Sequence, residues 1–162
     1  MGEWTEGLFY SSDDGKTWQN ISKGLPFKKD TASILVSLAA DEKEKGVFYA
    51  GFIHEGLWRT KNYGKKWEKI YPLDNSVFNA LSVAVGGKND KDLFIACEPL
   101  YWSKCPSSVL YSPDRGKSWA KLYDGTKGAL RWKGISCDRR TGTLFGVTCG
   151  NGAFYFERIA LK

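Results

Sequence analysis

The sequence predicts an all-β repeat protein, and three observations carry that prediction. The stretch Ser11 to Trp18 returns as Thr60 to Trp67 and again as Ser112 to Trp119. The box glycines Gly15, Gly64 and Gly116 lie 49 and 52 residues apart, a spacing in the range of stacked repeat units. Between the boxes run short apolar stretches bounded by turn residues, and 18 glycines with 15% aromatics suit tight turns and packed sheets.

Each box reads as a turn between two strands. Asp13 and Asp114 can accept bonds from backbone N–H groups two residues on, closing an Asx-type turn, and Asn62 can do so through its side-chain oxygen. Gly15, Gly64 and Gly116 suit the positive φ of a chain folding back. Ser11, Thr60 and Ser112 can bond within the same loop. Trp18, Trp67 and Trp119 lie in the outgoing strand, where a large ring can bury against the next unit. A calcium site would need several oxygen ligands, and the middle box offers Asn62 with no carboxylate. The boxes are therefore read as structural, with no metal.

These residues resemble the Asp-box, or BNR, repeat, whose usual form is Ser-X-Asp-X-Gly-X-Thr-Trp. The first box matches every key position; the third has Ser118 for Thr, and the second has Thr60, Asn62 and Lys66. The resemblance covers nearly the whole chain and implies a β-propeller of four-stranded antiparallel blades. Proteins with such repeats include sialidases, xyloglucan hydrolases, the sortilin-type receptor domain and a photosystem II assembly factor. In that family the boxes sit away from the functional face, and the functions on offer are diverse.

Taken in order, residues 7–11 and 16–21 flank the first box as the third and fourth strands, C and D, of a blade. Residues 33–40 are apolar and β-rich and read as an inner strand A. Strand B is expected at 47–52, C at 56–60 and D at 66–71, which completes a blade over 33–71. A second blade, 78–123, has A at 78–85, B at 92–97, C at 109–112 and D at 118–123. An incomplete blade, 130–159, has A at 130–137, B at 143–149 and C at 153–159, with no fourth box. With the remnant at 7–21 this is one partial propeller domain of a little over three repeats.

A closed propeller usually takes four to eight blades, and open sheet edges invite aggregation. The chain is therefore expected either to belong to a longer propeller or to close with another copy. A homodimer would make about six blades, with one C strand per copy redundant.

Net charge is +6, but the basic residues are spread along the chain, which reads against a nucleic-acid surface. No apolar run approaches the ~20 residues a membrane helix needs. No secretory signal precedes the first box. Cys97, Cys105, Cys137 and Cys149 have no Cys-X-X-Cys spacing, so no zinc site is expected. A bridge from Cys97 to Cys105 would staple the loop after strand B, and free buried thiols are the alternative. No cofactor is called for, and the compartment is not legible.

Alternating strand direction puts the A–B turns with the boxes on one face, and the D–A and B–C loops on the other. Binding residues concentrate on loops held by a rigid scaffold. The connection 98–108 is the most distinctive loop there, with Glu98, Tyr101, Trp102, Lys104 and Cys105. Its aromatics suit sugar stacking or a protein hot spot, or else they cap the blade. Lys28, Lys29, Lys127 and Arg131 make that face mildly basic. His54 beside Glu55 is an acid–base candidate, but neighbours in an extended segment point opposite ways. The expected function is a non-catalytic propeller binding a protein or glycan through this loop face. The alternative is a piece of a glycoside hydrolase, sialidase- or xyloglucanase-like. Its usual pair of positioned carboxyl groups is not recognisable among Asp30, Asp74 and Glu98.

Overall fold

The computed structural model describes residues 7–27, 34–71, 78–87, 89–99, 107–123, 132–149 and 152–156. Among the described residues, thirteen strands form four antiparallel sheets. The first pairs β1 (Phe9–Tyr10) with β2 (Gln19–Asn20). The second runs in sequence order through β3 (Leu35–Ala40), β4 (Phe48–Phe52), β5 (Gly56–Thr60) and β6 (Trp67–Tyr71). The third does the same with β7 (Phe78–Val85), β8 (Leu93–Pro99), β9 (Ser108–Ser112) and β10 (Ala120–Tyr123). The fourth joins β11 (Trp132–Asp138), β12 (Thr143–Thr148) and β13 (Ala153–Phe156). These are the blades of a partial β-propeller, called blades 0 to 3 in chain order.

Period-two alternation explains how the blades stack, because successive side chains leave a strand on opposite faces. In β4, Ala50 and Phe52 face blade 0 and join Leu8, Ile21, Leu25 and Trp67 in one core. Tyr49, just before Ala50, faces blade 2 and joins Leu57, Val83, Leu93, Ile95 and Cys97 in another. In β8, Phe94 and Ala96 face blade 3 and meet Trp132, Ile135 and Leu144. Each blade junction among the described residues thus has its own core, and β4 and β8 each serve two. Ser82 Oγ also accepts the Ile135 N–H across the blade 2–3 junction at 3.0 Å.

The box glycines set the junction spacing. A Cβ on Gly64 would lie 2.5 Å from Ile21 Cβ, and one on Gly116 would lie 2.7 Å from Ile70 Cδ1. Ile21 and Ile70 each follow the preceding box tryptophan by three residues. The tryptophans go the same way, which corrects the expectation that they pack on the following blade. Trp67 Nε1 donates to the Ile21 carbonyl at 2.8 Å, and Trp119 meets Tyr71 edge-on at 5.2 Å. Trp18 is exposed, its Nε1 donating to its own turn at Gly15 O, 3.1 Å.

Cys97 is a free thiol, buried in the blade 1–2 core rather than turned toward the loop, so it forms no bridge with Cys105. Burial pushes it up to about 12. Cys105 lies outside the described residues.

Candidate functional site

Two faces compete for the role of site, and the box face is the better defined. Its turns share one hydrogen-bond scheme. Ser11 Oγ donates to Asp13 Oδ1 at 2.8 Å and accepts the Gly15 N–H at 2.8 Å. Asp13 then accepts the Thr17 N–H at 2.9 Å and the Thr17 hydroxyl at 2.6 Å. The third box repeats this with Ser112, Asp114 and Gly116, and the Ser118 hydroxyl reaches Asp114 Oδ2 at 2.6 Å. In the middle box Thr60 and Asn62 do the same for Gly64 and Lys66, without a carboxylate. The hydroxyl and the Asp or Asn of each box thus bond within the turn, and the N–H groups that Asp13, Asn62 and Asp114 accept come from up to four residues on, which corrects the expectation of two from the sequence.

One feature of the turn was not read there. The residue before each glycine is also left-handed: Asp14, Tyr63 and Arg115 have φ of 57°, 56° and 57°. Two consecutive positive φ values, with Lys16 N donating to Asp13 O at 3.3 Å, make a type I′ hairpin turn. The Asp-X-Gly spelling was the available signal.

The carboxylates of the outer boxes are held low, at about 2. At Asp13 the Thr17 hydroxyl is the main cause. At Asp114 burial pushes upward, and bonds from Ser118 and Ser112 outweigh it. A folded value below the unfolded one gives stability that is full above the unfolded value and lost as pH falls through the folded one. Stability is therefore expected to fall between about pH 4 and 2. Urea midpoints across that range should drop, and Asp114→Asn should flatten the slope. A slope unchanged by Asp114→Asn would refute this assignment.

Arginines clamp the same face. Arg115 bonds Asp41 of the β3–β4 turn at 2.9 Å and Glu44 at 2.7 Å, tying the box of blade 2 to blade 1. Arg59 on β5 donates through Nε and Nη2 to Glu68 Oε1 at 2.9 and 2.7 Å, and through Nη1 to the Arg115 carbonyl. The Arg59 bond holds the Glu68 carboxyl below its ordinary range. Burial first, then the Asp41 charge, pushes the Tyr49 phenol up to about 12. Inside this rim the inner strands β3, β7 and β11 line an open cleft of about 390 Å³. Glu42 and Arg139, paired at 2.9 Å across its mouth, lie in the inner turns of blades 1 and 3.

The opposite face carries the loops singled out from the sequence. Tyr101, Trp102, Lys104, Lys28, Lys29, Lys127 and Arg131 lie outside the described residues, as do Asp30 and Asp74. Glu98 belongs to β8, where its backbone pairs with Asn79. His54 is not in an extended segment: it has φ 63° in the three-residue turn between β4 and β5. Glu55 beside it pairs with Lys69 on β6 at 3.3 Å. Among the described residues, no cluster of three or more His, Cys, Asp or Glu side chains could hold a metal. Among them too, no helix is long and apolar enough to cross a membrane.

Known proteins match this architecture. The Sortilin-Vps10 family model (sortilin, neurotensin receptor 3) matches residues 6–149. The oligoxyloglucan-reducing end-specific xyloglucanase of Emericella nidulans is 27% identical over 161 residues, covering 94% of this chain and 19% of its own length. The GH74 xyloglucanase structure from Xanthomonas campestris superposes with a TM-score of 0.60 at 17% identity, over 76% of this chain and 19% of that one. A YCF48 structure with a bound D1 peptide gives 0.56 at 18% identity, over 80% and 39%. The chain spans about a fifth of the length of the curated relatives it matches.

Proposed function

Because the chain belongs to the Sortilin-Vps10 family, we propose that it is a non-catalytic Asp-box propeller module binding a protein or glycan through the face opposite its boxes. The β8–β9 connection carries this reading. The equivalent turn of blade 1 has three residues, Ile53 to Glu55, whereas β8 ends at Pro99 and β9 starts at Ser108. The sequence of this longer connection includes Tyr101, Trp102 and Lys104. Adjacent aromatics with a cation suit a sugar ring or a peptide side chain.

The xyloglucanase relatives favour a second reading, a piece of a glycoside hydrolase. Xyloglucan oligosaccharides titrated calorimetrically into the chain, with reducing ends assayed in parallel, separate the two. Saturable binding that weakens tenfold or more in Trp102→Ala, with no reducing ends released, supports the binding module. Release of reducing ends establishes the hydrolase reading. Absence of binding to both oligosaccharide and peptide libraries removes the module reading.

A further inference from the structure

The three boxes fold into one turn, but their side chains do not carry one charge. At four matched positions the outer boxes have Tyr10 and Tyr111, Ser12 and Pro113, Asp13 and Asp114, and Thr17 and Ser118. None of these is a cation. The middle box has Arg59, Lys61, Asn62 and Lys66 there. Every change runs the same way, from neutral to cationic or from anionic to neutral. The turn does not require it, because Thr60 and Asn62 bond within the middle box as Ser and Asp do in the others.

The four residues meet in one place. With Trp67 and Glu68 they line an open recess of about 230 Å³ beside the middle box. Three cations face one carboxylate there, and that carboxylate is occupied. Glu68 Oε1 accepts Arg59 Nε and Nη2 at 2.9 and 2.7 Å and lies 3.4 Å from Lys61 Nζ. Lys66 has no carboxylate partner among the described residues. Asn62 Oδ1 is identified by the Lys66 N–H and Thr60 hydroxyl that it accepts, at 2.9 and 3.0 Å. That leaves Nδ2 a donor with no acceptor among the described residues. In the outer boxes the second oxygen of Asp13 or Asp114 is instead an acceptor, taken by the Thr17 or Ser118 hydroxyl at 2.6 Å. The middle box therefore inverts the polarity of this spot: a donor stands for the acceptor, and a lysine for the hydroxyl bonded to it.

We propose that this recess binds a tetrahedral oxyanion, the sulfate or phosphate group of a larger ligand. Lys61 and Lys66 supply compact positive charge, which holds such a group without a fixed geometry. Asn62 Nδ2 adds one directed hydrogen bond. Arg59 neutralises Glu68, so the one carboxylate of the lining does not repel the ligand. Like charges gathered in a recess focus their field on it. The outer turns keep ionised carboxylates at neutral pH and cannot do the same. The site lies on the box side and is independent of binding through the loop face.

Sodium sulfate titrated into the 162-residue chain at constant ionic strength, followed by amide NMR, tests this. The expected result is a saturable shift centred on the Asn62 side-chain amide and the Lys66 N–H. Asn62→Asp with Lys66→Thr writes residues of the first box into the second, so the urea midpoint should hold while sulfate affinity falls about tenfold. Lys61→Ser removes a side chain that takes no part in the turn, and it should weaken binding too. Lys16→Ala with Lys117→Ala removes as much charge from the outer boxes and should leave the affinity unchanged. A monosulfated disaccharide and a phosphoserine peptide, each against its unmodified form, identify the source of the group, and tighter binding of either one than of sulfate supports the site. Binding of neither ester means an adventitious ion only and overturns the proposal. So does a parent without saturable shifts, a middle-box variant that binds like the parent, or an equal loss in the outer-box variant.

Discussion

Gly116→Val and Gly64→Val should each destabilise the chain by about 4 kcal/mol, enough to remove much of a typical domain's stability. Two costs add. A β-branched residue at φ of +87° or +81° is strained, and its Cβ meets Ile70 or Ile21 at the neighbouring blade. Gly15→Val separates the costs. Its φ is +83°, but the nearest atom to its Cβ is Trp18 Cζ2 at 3.7 Å. That variant should lose only the strain, about 2 kcal/mol. Urea midpoints would give the order, and equal losses at Gly15 and Gly116 would show that the junction contact contributes nothing.

Arg115→Ala should cost about 3 kcal/mol, because it leaves the Asp41 carboxylate, whose side chain is 1% exposed, without its cation. Asp41→Ala should cost as much or more. The carboxylate also accepts the Lys43 and Glu44 N–H groups at 2.9 and 3.1 Å, so its loss opens the β3–β4 turn as well. The double variant should cost less than the two singles together, since the pair lies in direct contact. Full additivity in a double-mutant cycle would show that the two groups do not interact.

The fold was legible because the boxes fix register. Once Ser, Asp, Gly and Trp mark a hairpin, the strands on either side are placed to within a residue or two. Gly56–Thr60 and Phe78–Val85 fall where the sequence puts them. The strand expected at 16–21 shortens to Gln19–Asn20, because the Asp13 turn takes Lys16 and Thr17 into its own hydrogen bonds. The direction of tryptophan packing was not legible, since a strand pattern gives the two faces and not which neighbour each one meets. The arginine clamps were hidden for a related reason. Arg115 and Asp41 are 74 residues apart and meet only when blades stack. The loop face carries no periodicity, so its residues could be named from chemistry but not assembled into a site.

The bareness of Trp18 has an optical consequence. An indole in water emits at longer wavelength than one sealed between sheets. Trp18 and Trp67 hold the same place in their turns, one open and one covered. The difference spectrum between the parent and Trp18→Phe therefore isolates a red-shifted, quencher-accessible band from a single known position. When an apolar surface seats on the first blade, that band moves to the blue and iodide loses access to it. The chain carries its own gauge of whether that blade is covered, readable at concentrations too low for scattering.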